Sequence, residues 1–383
     1  MTLKGVNLGS WLLMEGYILG GRNIAESVFK RNFKKYNGAR ALREFEARFR
    51  INFINEIDFL NISKMGANCV RLPFSCRLIS ENKDGISYLK NALYWAHKYN
   101  LGVILDLHAA PGAQNCDWHA DSKEGKALFW EKRRYRDQAI GIWESIIAEF
   151  KDEPALIGFD IVNEPVLGSI PTAVLKDFYK NAIGRIKAID KKHRIFLEGD
   201  IWAQRIDFLQ DLLEENISIS IHTYQPLSYT FNYVPYCKFP GEIDKEFWDT
   251  ARLERYLQPY FEFSRKNKVD IFVGEFGINW RGGHWGELDY LSGILSIFEK
   301  FSFSYTYWTY KAISGYVFPD GIYQYIPDNA YVKREGPVCG WENYIEFWAK
   351  EKEKIADFWM TKNFTPNQAL IDVLGRYFAK GGK

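Results

Sequence analysis

Residues 156–165 read LIGFDIVNEP, an apolar β-branched run that ends on an amide, a carboxylate and a proline. The first half has the near-continuous hydrophobicity of a strand buried on both faces, as in a parallel sheet. The polar end needs another reason. Either the strand runs out into a solvated loop, or it delivers Asn163 and Glu164 to a working site.

Seven further runs share this character: KGVNLG (4–9), NCVRLPF (68–74), GVILDLH (102–108), RIFLEG (194–199), ISISIHTY (217–224), IFVGEFG (271–277) and SYTYWTYK (304–311). Between them lie segments with apolar residues at three- and four-residue spacing, which predict helices over 53–66, 86–100, 138–151, 171–189, 251–267 and 288–301, with another closing the chain at 367–378. Strands alternating with helices give the α/β class, and eight of them point to a single (β/α)8 TIM barrel. A doubly wound open sheet is the alternative, but no glycine-rich nucleotide loop follows a strand. The long connections 10–50, 225–250 and 312–340 follow strands 1, 6 and 8, so in a barrel they lie on the C-terminal face. Within the first, NGARALREFEARF suggests additional helix. No Pro/Gly/Ser-rich linker divides residues 1–383, which reads as one catalytic domain without a carbohydrate-binding module.

Composition narrows the function. A formal charge of +2 on 383 residues gives no electrostatic case for nucleic acid or an anionic membrane. No apolar window is long enough to span a bilayer. The start, MTLKGVNLGS, lacks the pattern of a signal peptide, so the chain as written is expected in the cytoplasm, or outside the cell if a leader has been removed. Five cysteines, an odd number without a CxxC, suggest a reducing compartment rather than a disulfide framework. No Cys/His spacing suits zinc, and neither metal nor cofactor is expected; the polar knot Cys116, Asp117, His119 and Asp121 reads as loop surface. Aromatic residues reach 17%. They could fill a core or line a sugar-binding cleft.

The strand ends carry Arg71, His108, Asn163 with Glu164, Glu198, His222 with Tyr224, Glu275 and Trp308. A barrel would gather these at one rim. Glu164 and Glu275 matter most. Two carboxyls about 5–5.5 Å apart can cleave a glycosidic bond with retention, one as acid and one as nucleophile, whereas roughly 6.5–9.5 Å implies inversion.

NEP (163–165), GEFG (274–277), RLPF (71–74), DLH (106–108), HTY (222–224) and YW (307–308) together resemble glycoside hydrolase family 5, the cellulase-type retaining barrel enzymes. They fall on six strands in the family's order. The resemblance implies Glu164 as acid/base and Glu275 as nucleophile, with Asn163 on the sugar 2-hydroxyl. It implies that Arg71 and Tyr224 hold Glu275, that His222 sits by Glu164, that His108 lines the cleavage subsite, and that Trp308 is the floor under the sugar. NLGSWLLMEGYI (7–18) and DLHAAPGAQN (106–115) are similar to the family's exo-β-1,3-glucanases, in which the residue matching Glu15 grips the terminal sugar. That likeness stops after Tyr17. A first-loop salt bridge is the other reading of Glu15.

The expectation is a monomeric retaining β-glycosidase cleaving β-glucosidic bonds of a β-glucan or its oligosaccharides, exo or endo. A β-mannanase or β-mannosidase, an aryl or lipid β-glucosidase, a catalytically dead carbohydrate-binding barrel and a metal-dependent barrel enzyme are the alternatives. Glu198 is expected to support the site rather than react. Trp11, Trp118, Trp280 and Trp285 are candidate sugar platforms.

Overall fold

The computed structural model describes residues 2–82, 84–325 and 341–379. Eight parallel strands close into a barrel: β1 (Lys4–Asn7), β2 (Cys69–Ser75), β3 (Gly102–Ala109), β4 (Leu156–Asp160), β5 (Arg194–Glu198), β6 (Ile217–His222), β7 (Asp270–Phe276) and β8 (Ser304–Tyr307). Closure is made by β1 against β8, with Lys4 opposite Tyr305 and Val6 opposite Tyr307. Every residue of β2 is buried, which is why its run does not alternate. Gly158 in β4 is required by close approach: a Cβ there would lie 2.1 Å from the Arg194 carbonyl of β5.

The surrounding helices occupy nearly the expected ranges, and their starts are set by side chains. Asn55 and Asp58 form a capping box at Glu56–Lys64. Asp249 Oδ1 accepts from the Arg252 amide at 2.7 Å at the start of Thr250–Asn267. Between β5 and β6 there is no full helix, only the short segments Asp200–Ala203 and Asp207–Leu212.

Two long connections hold a layer outside the barrel. The first contains helix Glu26–Asn52, bent at Gly38. The second leads to helix Asn343–Phe358, which its charged stretch KEKEK hides from periodicity reading. Residues 326–340 of the third expected loop, and Cys339, lie outside the described residues. The two helices meet through rings. Phe29 stacks on Trp341 at 4.3 Å, Phe33 meets Trp348 at 5.9 Å, and Phe45 and Phe49 meet the edge of Trp359 at 5.3 and 5.0 Å. Much of the aromatic surplus is therefore core. Trp11 joins it: it is buried, stacks on Trp95 at 6.2 Å and donates its indole N–H to the Arg50 carbonyl at 2.8 Å. No helix among the described residues is long and apolar enough to cross a membrane.

Candidate active site

The strand tips converge on Arg71, which rises from β2 fully buried. Its Nη1 donates to Glu275 Oε1 at 2.8 Å and Asn7 Oδ1 at 3.2 Å. Its Nη2 donates to Asn163 Oδ1 at 2.8 Å and Glu198 Oε1 at 3.2 Å, and lies 3.1 Å from Asp106 Oδ2; its Nε donates to Asp160 Oδ2 at 3.0 Å. One guanidinium thus ties β1, β2, β3, β4, β5 and β7 together. It also faces four buried carboxyls, more than one cation can balance. Burial, with Glu198 and Asp106 beside it, pushes the Asp160 carboxyl well above its ordinary value, against the pull of Arg71.

β4 ends at Asp160, not at Glu164 as the sequence suggested. Residues 161–164 leave the ladder but are fixed individually. The Asn163 amide donates to the Leu107 carbonyl at 3.1 Å. Glu164 adopts a left-handed backbone, φ 48°, uncommon for a residue with a Cβ. It is held there by its own amide on Glu198 Oε2 at 2.6 Å and by Asn115 Nδ2 on its carbonyl at 3.0 Å. Strain retained in this way aims a side chain.

The Glu164 carboxyl is gripped on both oxygens. His222 Nδ1 lies 2.8 Å from Oε1, and His119 Nε2 lies 3.0 Å from Oε2. Burial opposes ionisation of Glu164, but these two hydrogen bonds outweigh it and hold the carboxyl well below its ordinary value. The imidazoles respond in kind. Burial lowers His119, yet Glu164 carries it up to about 9; His222, buried too, is held well above its ordinary value by Glu198 and Glu275. Glu275 is gripped differently, by Arg71 on Oε1 and by the Tyr224 hydroxyl on Oε2 at 2.9 Å. An oxygen of Glu164 and an oxygen of Glu275 lie within 4.8 Å of each other, with His222 Nδ1 inside the same limit. This is the one group among the described residues that could present metal ligands together, and hydrogen bonds already occupy its short distances.

A cavity of about 330 Å³ opens over this pair. One wall is Trp308, stacked on His108 at 5.4 Å and 9° and donating its indole N–H to the Tyr17 hydroxyl. Asp106 Oδ2 orients His108 through Nδ1 at 2.7 Å. Glu15 belongs to the same cavity. Only 3% exposed and with Oε1 unpartnered, it makes no salt bridge among the described residues; burial pushes its carboxyl up to about 7, against the pull of His108 and His119. Trp118 lines the cavity, whereas Trp11, Trp280 and Trp285 do not.

All nine residues singled out from the sequence therefore reach this site, and Glu198 supports it. Sequence reading left out Asn7, Asp106, Asp160 and Trp202, and it placed His119 on a loop surface, whereas His119 lies 3.0 Å from Glu164. Asp106 and Asp160 sit inside the quoted strand runs at inward positions, a signal that was available. His119 and Trp202 come from irregular loops with no periodicity to flag them.

Comparison with known proteins agrees with the geometry. A β-xylosidase of Phanerodontia chrysosporium is 27% identical over 396 aligned residues, covering 98% of this chain and 78% of that protein. Endoglucanase C of Acetivibrio thermocellus is 24% identical over 68% of this chain and 84% of its own length. Glucan 1,3-β-glucosidase 3 of Schizosaccharomyces pombe is 24% identical over 81% of this chain and 69% of its own. Among solved structures, Thermotoga maritima Cel5A in complex with mannotriose has the same fold, with a TM-score of 0.63 at 20% identity over 97% of each chain. The family model for cellulase, glycosyl hydrolase family 5, matches residues 35–314, a span that includes Arg71, Glu164, Glu275 and Trp308. The chain belongs to that family and is an O-glycosyl hydrolase of the cellulase type.

Proposed function

We propose that the protein is a retaining β-glycosidase that cleaves β-glucosidic bonds, with Glu164 as acid/base and Glu275 as nucleophile. The observation that carries this is the approach of one oxygen of Glu164 and one of Glu275 to within 4.8 Å. So close an approach supports the narrower spacing of retaining enzymes, in which the second carboxylate attacks the anomeric carbon directly.

The unequal surroundings fit the unequal roles. Arg71 and Tyr224 each hold one oxygen of Glu275 and aim it as the nucleophile. Glu164 must instead carry a proton when the leaving oxygen arrives, although the free site holds it as a carboxylate. His119 supplies the answer: at neutral pH the proton rests across a 3.0 Å hydrogen bond and passes to Glu164 once substrate displaces water. In the first half-reaction Glu164 protonates the leaving oxygen as Glu275 forms the glycosyl ester. In the second, Glu164 takes a proton from water, which releases the sugar with its β configuration. Asn163 keeps a buried amide nitrogen without a partner, a donor ready for the 2-hydroxyl. Buried Glu15 at the wall favours a sugar taken end-on.

Proton NMR of aryl β-glucoside hydrolysis should show the β-anomer first; α-product first refutes the mechanism. With azide added, Glu164→Ala should give the β-glycosyl azide and Glu275→Ala the α-azide, which separates the two roles. Xylose in place of glucose is a second reading, favoured by the relative named a β-xylosidase, whose alignment covers 98% of this chain. Parallel kcat/KM values for the two 4-nitrophenyl glycosides decide between them.

A further inference from the structure

Beyond Glu164 the wall of the cavity comes from a turn after β5. Ile201, Trp202 and Ala203 have φ values of 57°, 50° and 62°, three successive left-handed residues without a glycine, one of them β-branched. The turn is pinned at its base. Asp200 and Arg205 exchange backbone hydrogen bonds of 3.1 and 2.9 Å, and Asp200 Oδ1 accepts from the Leu167 amide at 2.9 Å. The Trp202 amide donates to the carbonyl of Pro165, the residue after Glu164, at 3.3 Å, and its indole N–H to Asp117 Oδ2 at 2.8 Å. Backbone strain held this firmly places a side chain for use.

What the turn places is a ring face. The indole N–H is satisfied by Asp117, yet Trp202 remains 39% exposed in the cavity wall. Leu227 and Tyr233 line the same cavity at 37% and 48% exposure, with Phe318 behind Tyr233 at a ring distance of 5.9 Å. Exposed apolar surface continuous with a reactive site marks a binding surface. Glu15, His108 and Trp308 line the same cavity.

We infer that Trp202, Leu227, Tyr233 and Phe318 form a leaving-group site for an apolar aglycone, so that β-glycosides of hydrophobic alcohols or phenols are preferred to those whose leaving group is another sugar. This rests on the assignment of Glu164 as the acid, which fixes the side from which the leaving group departs. A second sugar would bring hydroxyls to this apolar wall, where Asp117 Oδ2 is already engaged by the indole and Gln204 and Gln225 are the other polar side chains of the cavity lining. An alkyl or aryl group sheds only water there.

The test compares kcat/KM for octyl and methyl β-D-glucopyranoside, the corresponding xylosides, and cellobiose, in the wild type and in Trp202→Ala, Trp202→Phe and Trp202→Gly. Octanol and methanol are similar leaving groups, so their ratio reads the wall and not the chemistry. The octyl glycoside should exceed both the methyl glycoside and cellobiose by about tenfold or more, and Trp202→Ala should reduce the octyl-to-methyl ratio about tenfold. Trp202→Phe should keep most of that ratio. Trp202→Gly should lose it. A wild-type ratio near one, cellobiose cleaved faster than the octyl glycoside, or a ratio unmoved in Trp202→Ala overturns the inference and leaves the glycosidase reading standing. Failure to cleave any β-glycoside, 4-nitrophenyl ones included, overturns both.

Discussion

Glu15→Gln should make the protein more stable and less active, and the gain should depend on pH. The carboxyl is buried, and its Oε1 has no partner. Burial raises it from an ordinary 4.5 to about 7. A group whose folded value lies above its unfolded value contributes stability in full below the unfolded value and loses it as pH rises through the folded one. From 4.5 to about 7, at about 1.4 kcal/mol per pH unit, the loss reaches a ceiling of about 3 kcal/mol. Glutamine keeps the shape and never ionises. Its advantage should therefore grow by about 2 kcal/mol between pH 5.5 and pH 8.5, with little change at acid pH. Urea unfolding at the two pH values, with unchanged m, measures it. If Glu15 holds the sugar, kcat/KM falls in the same variant. A stability difference that is flat with pH, or that shrinks towards pH 8.5, would refute the reasoning.

Three more outcomes can be stated. Tyr224→Phe removes one hydrogen bond to a carboxylate, worth about 1.5–3 kcal/mol, so kcat/KM should fall roughly 10- to 100-fold with the melting temperature nearly unchanged; a loss under twofold denies Tyr224 its part in holding Glu275. Arg71→Met leaves Asp106, Asp160, Glu198 and Glu275 without their shared cation and should cost about 3–5 kcal/mol in urea unfolding, against the reading of Arg71 as the tie of the barrel mouth if it costs less than about 1. His119 rises from 6.5 to about 9 in the fold, so its contribution is complete below pH 6.5 and disappears as pH climbs through 9; the stability gap between wild type and His119→Gln should close by up to about 3 kcal/mol between pH 6 and pH 10, and a constant gap contradicts the pairing with Glu164.

The barrel was readable because its strands are buried on both faces, which leaves continuous runs that no amphipathic helix imitates. The two glutamates were readable because polar residues at the ends of such runs have few other reasons to be there. Glu164 shows the limit: its strand stops four residues earlier, and the side chain is aimed by a left-handed backbone and by Glu198 and Asn115, contacts that exist only in the folded chain. His119 escaped for the same reason, since nothing local distinguishes a loop histidine that will meet a carboxylate 45 residues further on. Trp202 lies in a turn whose conformation contradicts the preference of every residue in it. Helix Asn343–Phe358 was hidden because its apolar positions are widely spaced among charges and find their partner in a helix from the other end of the chain.

That pairing has a consequence for how the protein is made. Helix Glu26–Asn52 leaves the ribosome early, showing Phe29, Phe33, Phe45 and Phe49. Their cover, Trp341, Trp348 and Trp359, emerges only after the whole barrel has been synthesised. The strand that closes β1 is almost as late. The nascent chain must therefore carry a sticky aromatic face until residue 341 has emerged, and a ribosome that stops earlier releases a product with that face bare. A segment made after the barrel acts as the latch on one made before it.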